Sequence, residues 1–340
     1  MIFFKTIIKF LSLVSLAFLL GGCDTNCKPP GEIKSLMEEV KIERLEDTLY
    51  RSESVEEVLA FLTHHKILKN EFLGSDQYPN DTVLAERLFS MITDPDIAVL
   101  LEETRRVFGD MRDLKADFEE AFAYMRKFFP GAKTPKIQTL VTGFGTSEMY
   151  VSDTLIIIGL DYYIGPDATY TPNRYPDYIL RRYQKQYIVP AIMLLLSDNY
   201  IATDYSDNTM LADMVFYGKK YYFTQKMLPC APDSLIIWYT EKELTDVSDN
   251  QHIIWGNFIQ NELLFETSHI IKEKFLGERP NTYEISAVCP GRIGAWVGWE
   301  IVRKYMEDHP EVSLAGLMGK KDAMNIFKAS NYKGKAPGLF

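Results

Sequence analysis

Hydrophobic residues recur every three or four positions along much of this chain, which is the period of an α-helix with one buried face. The clearest run covers residues 111–129 and stops at Pro130-Gly131, a strong helix terminator. Its apolar positions are Leu114, Phe118, Phe122, Met125 and Phe129. We therefore predict an amphipathic helix there, one of several in the first hundred residues after position 50.

Helix starts are marked by residues whose side chains can cap free backbone amides. Ser54 stands three residues before Glu57, and Thr240 three before Glu243, which is the spacing of a capping box. Asp94-Pro95 offers an N-cap followed by proline at the first helical position. These pairs predict helices beginning near residues 55, 95 and 241.

Strand signals are fewer. Apolar and charged residues alternate through 40–45, and Ile137 to Phe144 is a second candidate. Thr154 to Leu160 is a continuous β-branched run, which predicts a strand buried on both faces. The later helices are predicted at about 177–197 (with Pro190 inside), 208–227, 240–265, 290–307 and 320–329. The pattern predicts an α+β fold, mostly helical with a small mixed β-sheet.

The N-terminus has the pattern of an export signal. Lys5 and Lys9 precede a short apolar stretch that ends at Leu20-Gly21-Gly22-Cys23, which resembles the lipobox of bacterial lipoproteins. We predict a signal peptide over 1–22, lipid attachment at Cys23 and a tether over 23–31. The alternative is an ordinary signal peptide with a chance cysteine. Residues 32–340 are expected to form one globular domain, with two lobes dividing near 130 as an alternative.

The net charge indicates which classes of partner to expect, and the cysteine content limits the possible disulfides. Losing Lys5 and Lys9 takes the formal charge from −10 to −12, so phosphate backbones are repelled and no nucleic-acid partner is expected. The expected partners are a membrane, through the lipid, and other envelope proteins. Cys230 and Cys289 are either a disulfide or two separate buried thiols.

Familiar catalytic patterns are absent from the sequence. The five histidines form no H-E-x-x-H, and there is no C-x-x-C, G-x-S-x-G, G-x-x-x-x-G-K-[ST] or G-x-G-x-x-G. We expect no catalytic residues, no metal site and no cofactor, and therefore no enzyme.

The most unusual segment is 289–300. Gly294 and Gly298 stand four apart on a predicted helix, and glycine there costs about 1 kcal/mol relative to alanine. One reading is a tightly packed core helix. The other is a recognition surface led by Arg292, Trp296 and Trp299, residue types enriched at binding hot spots.

From about residue 32 onward the chain resembles the gliding-motility-associated lipoprotein B (GldB-type) family of Bacteroidetes. The matching segments are Phe129-Pro130 with the strand 136–141, then 158–165, Tyr187-Ile188-Val189-Pro190, Phe216-Tyr217-Gly218-Lys219 and 290–299. The resemblance implies a lipoprotein of the cell envelope, on the inner or outer membrane and facing the periplasm or the cell surface. In gliding species it implies an association with the motility or secretion machinery. It supplies no catalytic residues.

A more distant similarity is to zincin-like metallopeptidases, in which one helix carries H-E-x-x-H and a second supplies a glutamate ligand. Here the first helix, 178–197, has no histidine, and Tyr217 stands where the glutamate is expected. Because a catalytic zinc needs three protein ligands, the similarity implies an inactive scaffold.

Together these observations predict an envelope lipoprotein that acts by protein contacts without catalysis. Its contact surface is expected to include the loop 162–178. The individual residues predicted for this surface are Tyr217, Lys219, Arg292, Trp296 and Trp299. One alternative is a hydrolase with an unrecognised site built from Asp161, Glu262 and a tyrosine. The other is a ligand-binding lipoprotein with a large aromatic-lined pocket.

Overall fold

The computed structural model describes residues 27–334. The predicted signal peptide and the predicted lipid site at Cys23 lie outside the described residues. The chain divides into two units, Met1–Pro30 and Gly31–Phe340. In the first unit, residues 27–30 form neither helix nor strand, and the first helix of the second unit begins at Gly31, one residue inside the predicted tether. Within the described part of Gly31–Phe340, no further boundary falls near residue 130.

The second unit is α+β, as predicted, with four short strands among many helices. The strands are β1 (Ile42–Arg44), β2 (Lys136–Leu140), β3 (Met149–Val151) and β4 (Leu155–Gly159). The helices up to the sheet are α1 (Gly31–Leu36), α2 (Leu45–Leu49), α3 (Val55–His64), α4 (Asp81–Ile92), α5 (Pro95–Phe108) and α6 (Arg112–Phe128). Those after it are α7 (Asp177–Leu180), α8 (Ile188–Leu196), α9 (Met210–Met227), α10 (Asp233–Ile237), α11 (Glu241–Asp249), α12 (Gln251–Gln260), α13 (His269–Leu276), α14 (Ile293–Asp308), α15 (Leu314–Gly319) and α16 (Ala323–Ser330).

The sheet has the order β1-β2-β4-β3. The first three strands in that order are parallel, and β3 runs antiparallel to β4, so the sheet is mixed. All five residues of β4 are buried, as its β-branched run predicted. Because successive side chains point to opposite faces, Leu155 and Ile157 join one apolar cluster while Ile156 and Ile158 join the other. The sheet therefore separates a smaller core, built with α2, α3 and α4, from the main core.

The local helix signals were reliable. Ser54 caps α3 by accepting from the Glu57 amide, although the Glu57 carboxylate reaches back to the amide of Glu53 rather than to that of Ser54. Asp94 caps α5 with proline at its first turn, and Thr240 and Glu243 form the complete capping box of α11. The five apolar positions of the run 111–129 face inward from α6 or from its C-terminal end.

Two long predicted helices are each broken into shorter ones. The stretch 177–197 contains α7, an irregular turn and α8. Pro190 lies in the first turn of α8, where its missing amide costs no intrahelical hydrogen bond. A proline is tolerated there but not in the middle of one long helix, so the helix begins again shortly before Pro190. The stretch 240–265 breaks at Asn250, which ends α11 and precedes α12. No described helix is both long enough and apolar enough to cross a bilayer.

Helices α9 and α14 approach each other closely at two glycines. A Cβ atom added at Gly298 would lie 1.8 Å from the carbonyl oxygen of Met214, and one added at Gly218 would lie 2.2 Å from the carbonyl oxygen of Gly298. Neither neighbour is a side chain that can rotate away. The two helices therefore pack backbone to backbone at these glycines.

The bonding state of Cys230 and Cys289 matches neither of the two alternatives that the sequence left open. Cys289 is a free, buried thiol, so the Cys230–Cys289 disulfide is wrong. Cys230 is nevertheless disulfide-bonded, as is Cys27, so the reading of two separate thiols is wrong as well. Burial raises the pKa of the Cys289 thiol to about 12, which keeps it protonated.

Candidate functional site

A cleft of about 660 Å³ opens in the second unit between α8, α9, α13 and the start of β3. Aromatic side chains supply much of its wall: Tyr163, Tyr183, Tyr187, Phe216, Tyr217, Tyr221 and Trp238. We call this cavity the tyrosine cleft. Its volume lies in the range of about 300–1,000 Å³ that is typical of binding pockets.

Helical periodicity explains why these residues converge. On α9 the lining residues Asp213, Phe216, Tyr217, Lys220 and Tyr221 recur every three or four positions, so they share one face. On α13 the residues His269, Lys272, Glu273 and Leu276 have the same spacing. Two helix faces therefore present a mixture of aromatic and charged groups to one space.

The base of the cleft is an ion network around Trp238. The guanidinium carbons of Arg182 and Arg292 each lie 5.0 Å from the centre of the Trp238 ring. Glu278 joins the two arginines: its carboxylate accepts from both Nη atoms of Arg182, at 2.8 and 2.6 Å, and lies 3.5 Å from Nε of Arg292. Trp238 itself has φ +64°, a left-handed conformation that is strained for a bulky residue.

Arg292 is fixed from several directions. It donates to the hydroxyl of Tyr221 at 3.1 Å and to the carbonyl oxygen of Ile237 at 2.6 Å. Burial opposes its charge, but the negative charge of Glu278 and neighbouring tyrosines raise its pKa. Burial likewise opposes ionisation of Glu278, yet hydrogen bonds from Arg182 and the charge of Arg292 hold the pKa of Glu278 below its usual value. The network is therefore ionised at neutral pH.

The structure brings together two of the five predicted surface residues. Tyr217 is 37% exposed and lines the cleft, and Arg292 lies at its base although it is itself buried. Burial lowers the pKa of Lys219 to about 8, and its ammonium donates to the carbonyl oxygen of Lys320. Lys219 does not line the cleft, so its assignment to an exposed contact surface was wrong.

The two tryptophans are not surface residues either. Trp296 is 2% exposed and Trp299 is fully buried, because α14 packs against α9, α13 and α16 and has little free face. The prediction of an exposed recognition helix was wrong for them, and the core-helix reading is confirmed. In the loop 162–178, Tyr162 and Tyr163 are buried as well.

Three residues of the ion network were missed: Arg182, Trp238 and Glu278. They lie far apart in sequence, and none belongs to a recognisable motif. Arg182 directly follows Arg181, which forms a separate bidentate pair with Glu243, at 3.0 and 2.8 Å. The two adjacent arginines were a local sequence signal for ion pairs at this place.

Asp161 has a structural role. It is fully buried, and its Oδ2 accepts from the amides of Thr142 and Phe144, at 3.2 and 2.8 Å, and from the Thr142 hydroxyl. These bonds hold the turn that follows β2, where Gly143 and Phe144 have positive φ. Glu262 is exposed, and it lines neither the cavity beside Asp161 nor the tyrosine cleft. The structure therefore does not join the Asp161 and Glu262 of the hydrolase alternative.

Within residues 27–334, no group of three or more histidine, cysteine or carboxylate side chains is placed to hold a metal ion. On the cleft wall, Tyr187 and Ala191 project from the turn before α8 and from α8 itself, and Tyr217 lines the same cavity from α9. None of these three residues is a histidine or a carboxylate, and α8 contains neither residue type.

Comparison with known proteins gives one family. Neither curated proteins nor solved structures contain a match to the chain. The profile of the family described as "Gliding motility protein GldB" matches residues 26–334, which is most of the sequence and includes every described residue. That match confirms the resemblance, and with it a lipoprotein family of the cell envelope. The chain belongs to the gliding motility protein GldB family.

Proposed function

We propose that this envelope lipoprotein acts by binding a partner protein in the tyrosine cleft and that it has no catalytic activity. The tyrosine cleft is the observation that carries the proposal. Tyr, Trp and Arg are the residue types most enriched at binding hot spots, and the cleft combines seven aromatic side chains with two arginines. The ion network fixes Trp238 before binding, which lowers the entropic cost of association.

The absence of catalysis is supported by the chemistry of the cleft wall. Tyr187, Ala191 and Tyr217 offer no set of zinc ligands, and the buried Asp161 is committed to a backbone turn. A cavity lined by phenols in place of such ligands is suited to recognition. Incubating the purified protein with zinc and a broad peptide panel tests this: stoichiometric zinc binding together with metal-dependent hydrolysis would refute it.

Photo-crosslinking in intact cells tests the partner-binding site. Tyr217 is replaced by a photoreactive phenylalanine analogue, and the matched control carries the same analogue at Tyr205, which is 94% exposed and does not line the cleft. We expect an adduct of defined mass from position 217 that position 205 does not give. Equal labelling from both positions, or none from 217, would contradict the assignment.

The lipid anchor belongs to the same proposal. Attachment at Cys23 would confine the cleft to a membrane surface and raise its effective concentration towards other envelope proteins. Mass spectrometry of the mature N-terminus checks the anchor directly. An unmodified cysteine, or cleavage at another bond, would overturn this part of the proposal.

The volume of the cleft also favours a second candidate, capture of a small ligand. Native mass spectrometry of protein purified from cells separates the two functions. A bound compound of constant mass below about 1 kDa, lost on Tyr217→Ala, would favour ligand capture over partner binding.

A further inference from the structure

The charges lining the tyrosine cleft are unevenly paired. Lys272 pairs with Asp213 at 2.6 Å, Lys220 with Asp198 at 2.7 Å, and both arginines with Glu278. Among the described residues, the carboxylates of Glu148 and Glu273 make no ion pair and no side-chain hydrogen bond, although both line the cleft. On the cleft wall, Glu148 and Glu273 are therefore carboxylates without a cationic partner, whereas the single carboxylate of Glu278 serves two arginines.

Glu148 stands beside the tyrosines. Glu148, Tyr163 and Tyr183 line the same cavity. Burial raises the pKa of both tyrosines, and the negative charge of Glu148 raises it further. The Tyr163 and Tyr183 rings lie 5.5 Å apart, centre to centre. Arg174 lies near the same group but donates to Thr146 and Tyr162, not to Glu148. A carboxylate beside aromatic faces is a favourable environment for a cationic side chain.

The backbone next to Glu148 belongs to β3, the half-buried edge strand of the sheet, which also contacts residues 68–72 and α8. The backbone carbonyl oxygen of Glu148 accepts from the Gly159 amide, and the Ser152 amide donates to the Leu155 carbonyl oxygen, each at 2.9 Å, so these residues pair with β4. In an antiparallel pair the alternate residues, here Met149 and Val151, point their amides and carbonyls away from the partner strand. Within the described structure those groups have no hydrogen-bond partner, and β3 is the last strand of the sheet. Unpaired edges of this kind accept an added strand.

We propose that the tyrosine cleft binds an extended segment of a partner protein, which pairs with the free edge of β3 and places a lysine or arginine side chain among the tyrosines against Glu148. This inference rests on the proposed function and adds the chemistry of the partner. The strand edge favours an extended peptide over a free small cation, because Met149, one of the two residues with unpaired backbone groups, lines the same cleft as Glu148.

Peptide binding to the full-length lipoprotein in detergent tests the charge preference. The probe is a fluorescein-labelled eight-residue peptide of alternating valine and threonine with one central lysine. Two further probes carry Nε-acetyllysine, which keeps the stem without the charge, or glutamate. We expect roughly tenfold weaker binding, by fluorescence anisotropy, for acetyllysine and still weaker binding for glutamate.

Variants of the protein locate the site. Glu148→Gln should weaken binding of the lysine probe by about fivefold and leave the acetyllysine probe unchanged. The matched control is Glu56→Gln, at an exposed glutamate on α3 that also has no ion pair. Urea midpoints of both variants should equal that of the parent chain. Methylation of alternate peptide amides should abolish binding in one register only, because a strand added to β3 uses every second amide.

The outcomes separate this inference from the proposed function. Equal affinity for the lysine, acetyllysine and glutamate probes, or no effect of Glu148→Gln, overturns the inference while a Tyr217 crosslink still supports partner binding. Tight binding of the glutamate probe overturns it too and points to an acidic partner at Arg182. Loss of the Tyr217 crosslink with retained lysine-specific peptide binding contradicts the proposed site but not the charge preference.

Discussion

Replacing Gly298 by alanine should destabilise the protein, although alanine is the better helix former. The new Cβ would lie 1.8 Å from the Met214 carbonyl oxygen, 2.4 Å from its carbonyl carbon and 3.0 Å from its Cα. Carbon and oxygen atoms normally approach to about 3.3 Å, so α9 and α14 would have to separate by about 1.5 Å. All three obstructing atoms are backbone, so no rotamer change relieves the clash.

The magnitude follows from two opposing effects. Alanine gains about 1 kcal/mol of helix propensity over glycine, whereas overpacking of a core contact costs about 1–3 kcal/mol or more. The separation would also loosen Trp299 and its neighbours along the whole helix pair. We therefore expect the free energy of unfolding to fall by about 2 kcal/mol.

Gly256→Ala is the matched control, because Gly256 lies inside α12 and a Cβ added there meets nothing within 4 Å. It should raise stability by up to about 1 kcal/mol, so the two alanines should have opposite signs. Urea unfolding followed by circular dichroism measures both. A midpoint for Gly298→Ala equal to or above that of the parent chain would refute the backbone contact.

Three further predictions concern ionisable groups. Burial raises the pKa of Asp161 from 3.8 to about 6. The contribution of this shift to the free energy of unfolding is therefore fully present below about pH 4 and is lost as the pH rises through about 6. At about 1.4 kcal/mol per pKa unit this contribution amounts to about 3 kcal/mol. Asp161→Asn should therefore flatten the plot of urea midpoint against pH between about pH 4 and 6. An unchanged slope would contradict this prediction. Glu278→Gln should lower the free energy of unfolding by about 3 kcal/mol, because it leaves buried Arg292 without its carboxylate. Glu273→Gln, which removes no ion pair, should change the free energy of unfolding by less than about 0.5 kcal/mol. Equal effects of the two substitutions would argue against the ion network. Cys289, whose pKa is raised to about 12 by burial, should react with a maleimide only after unfolding in urea, and rapid labelling of the native protein would show that the thiol is accessible.

Sequence reasoning succeeded where a few neighbouring residues decide the structure. The caps at Ser54, Asp94 and Thr240 and the fully buried β4 depend on local side-chain chemistry and on short-range periodicity. The family resemblance likewise rested on short segments in the right order. The break between α7 and α8 and the break at Asn250 were missed because the surrounding residues remain apolar or helix-compatible on both sides.

The candidate site was harder to predict because it depends on long-range packing. Trp299 and Trp296 resemble a hot spot in sequence, yet helices α9, α13 and α16 cover them. Trp238 has no motif around it, and it becomes part of a cleft because Arg182 and Arg292 approach it from distant parts of the chain. Tyr217, which the sequence analysis singled out by analogy with a zinc ligand, does line the cleft.

The sheet that separates the two apolar cores also affects how the molecule opens locally. Its outer strands β1 and β3 are three residues long, and the smaller core draws most of its side chains from residues 45–88. Such a segment can open as a cooperative unit without global unfolding. Amide hydrogen exchange should therefore be faster in α3 and α4 than in α9 and α14. Strain or force transmitted through the smaller core would then be released locally, before it reached the helices that form the cleft.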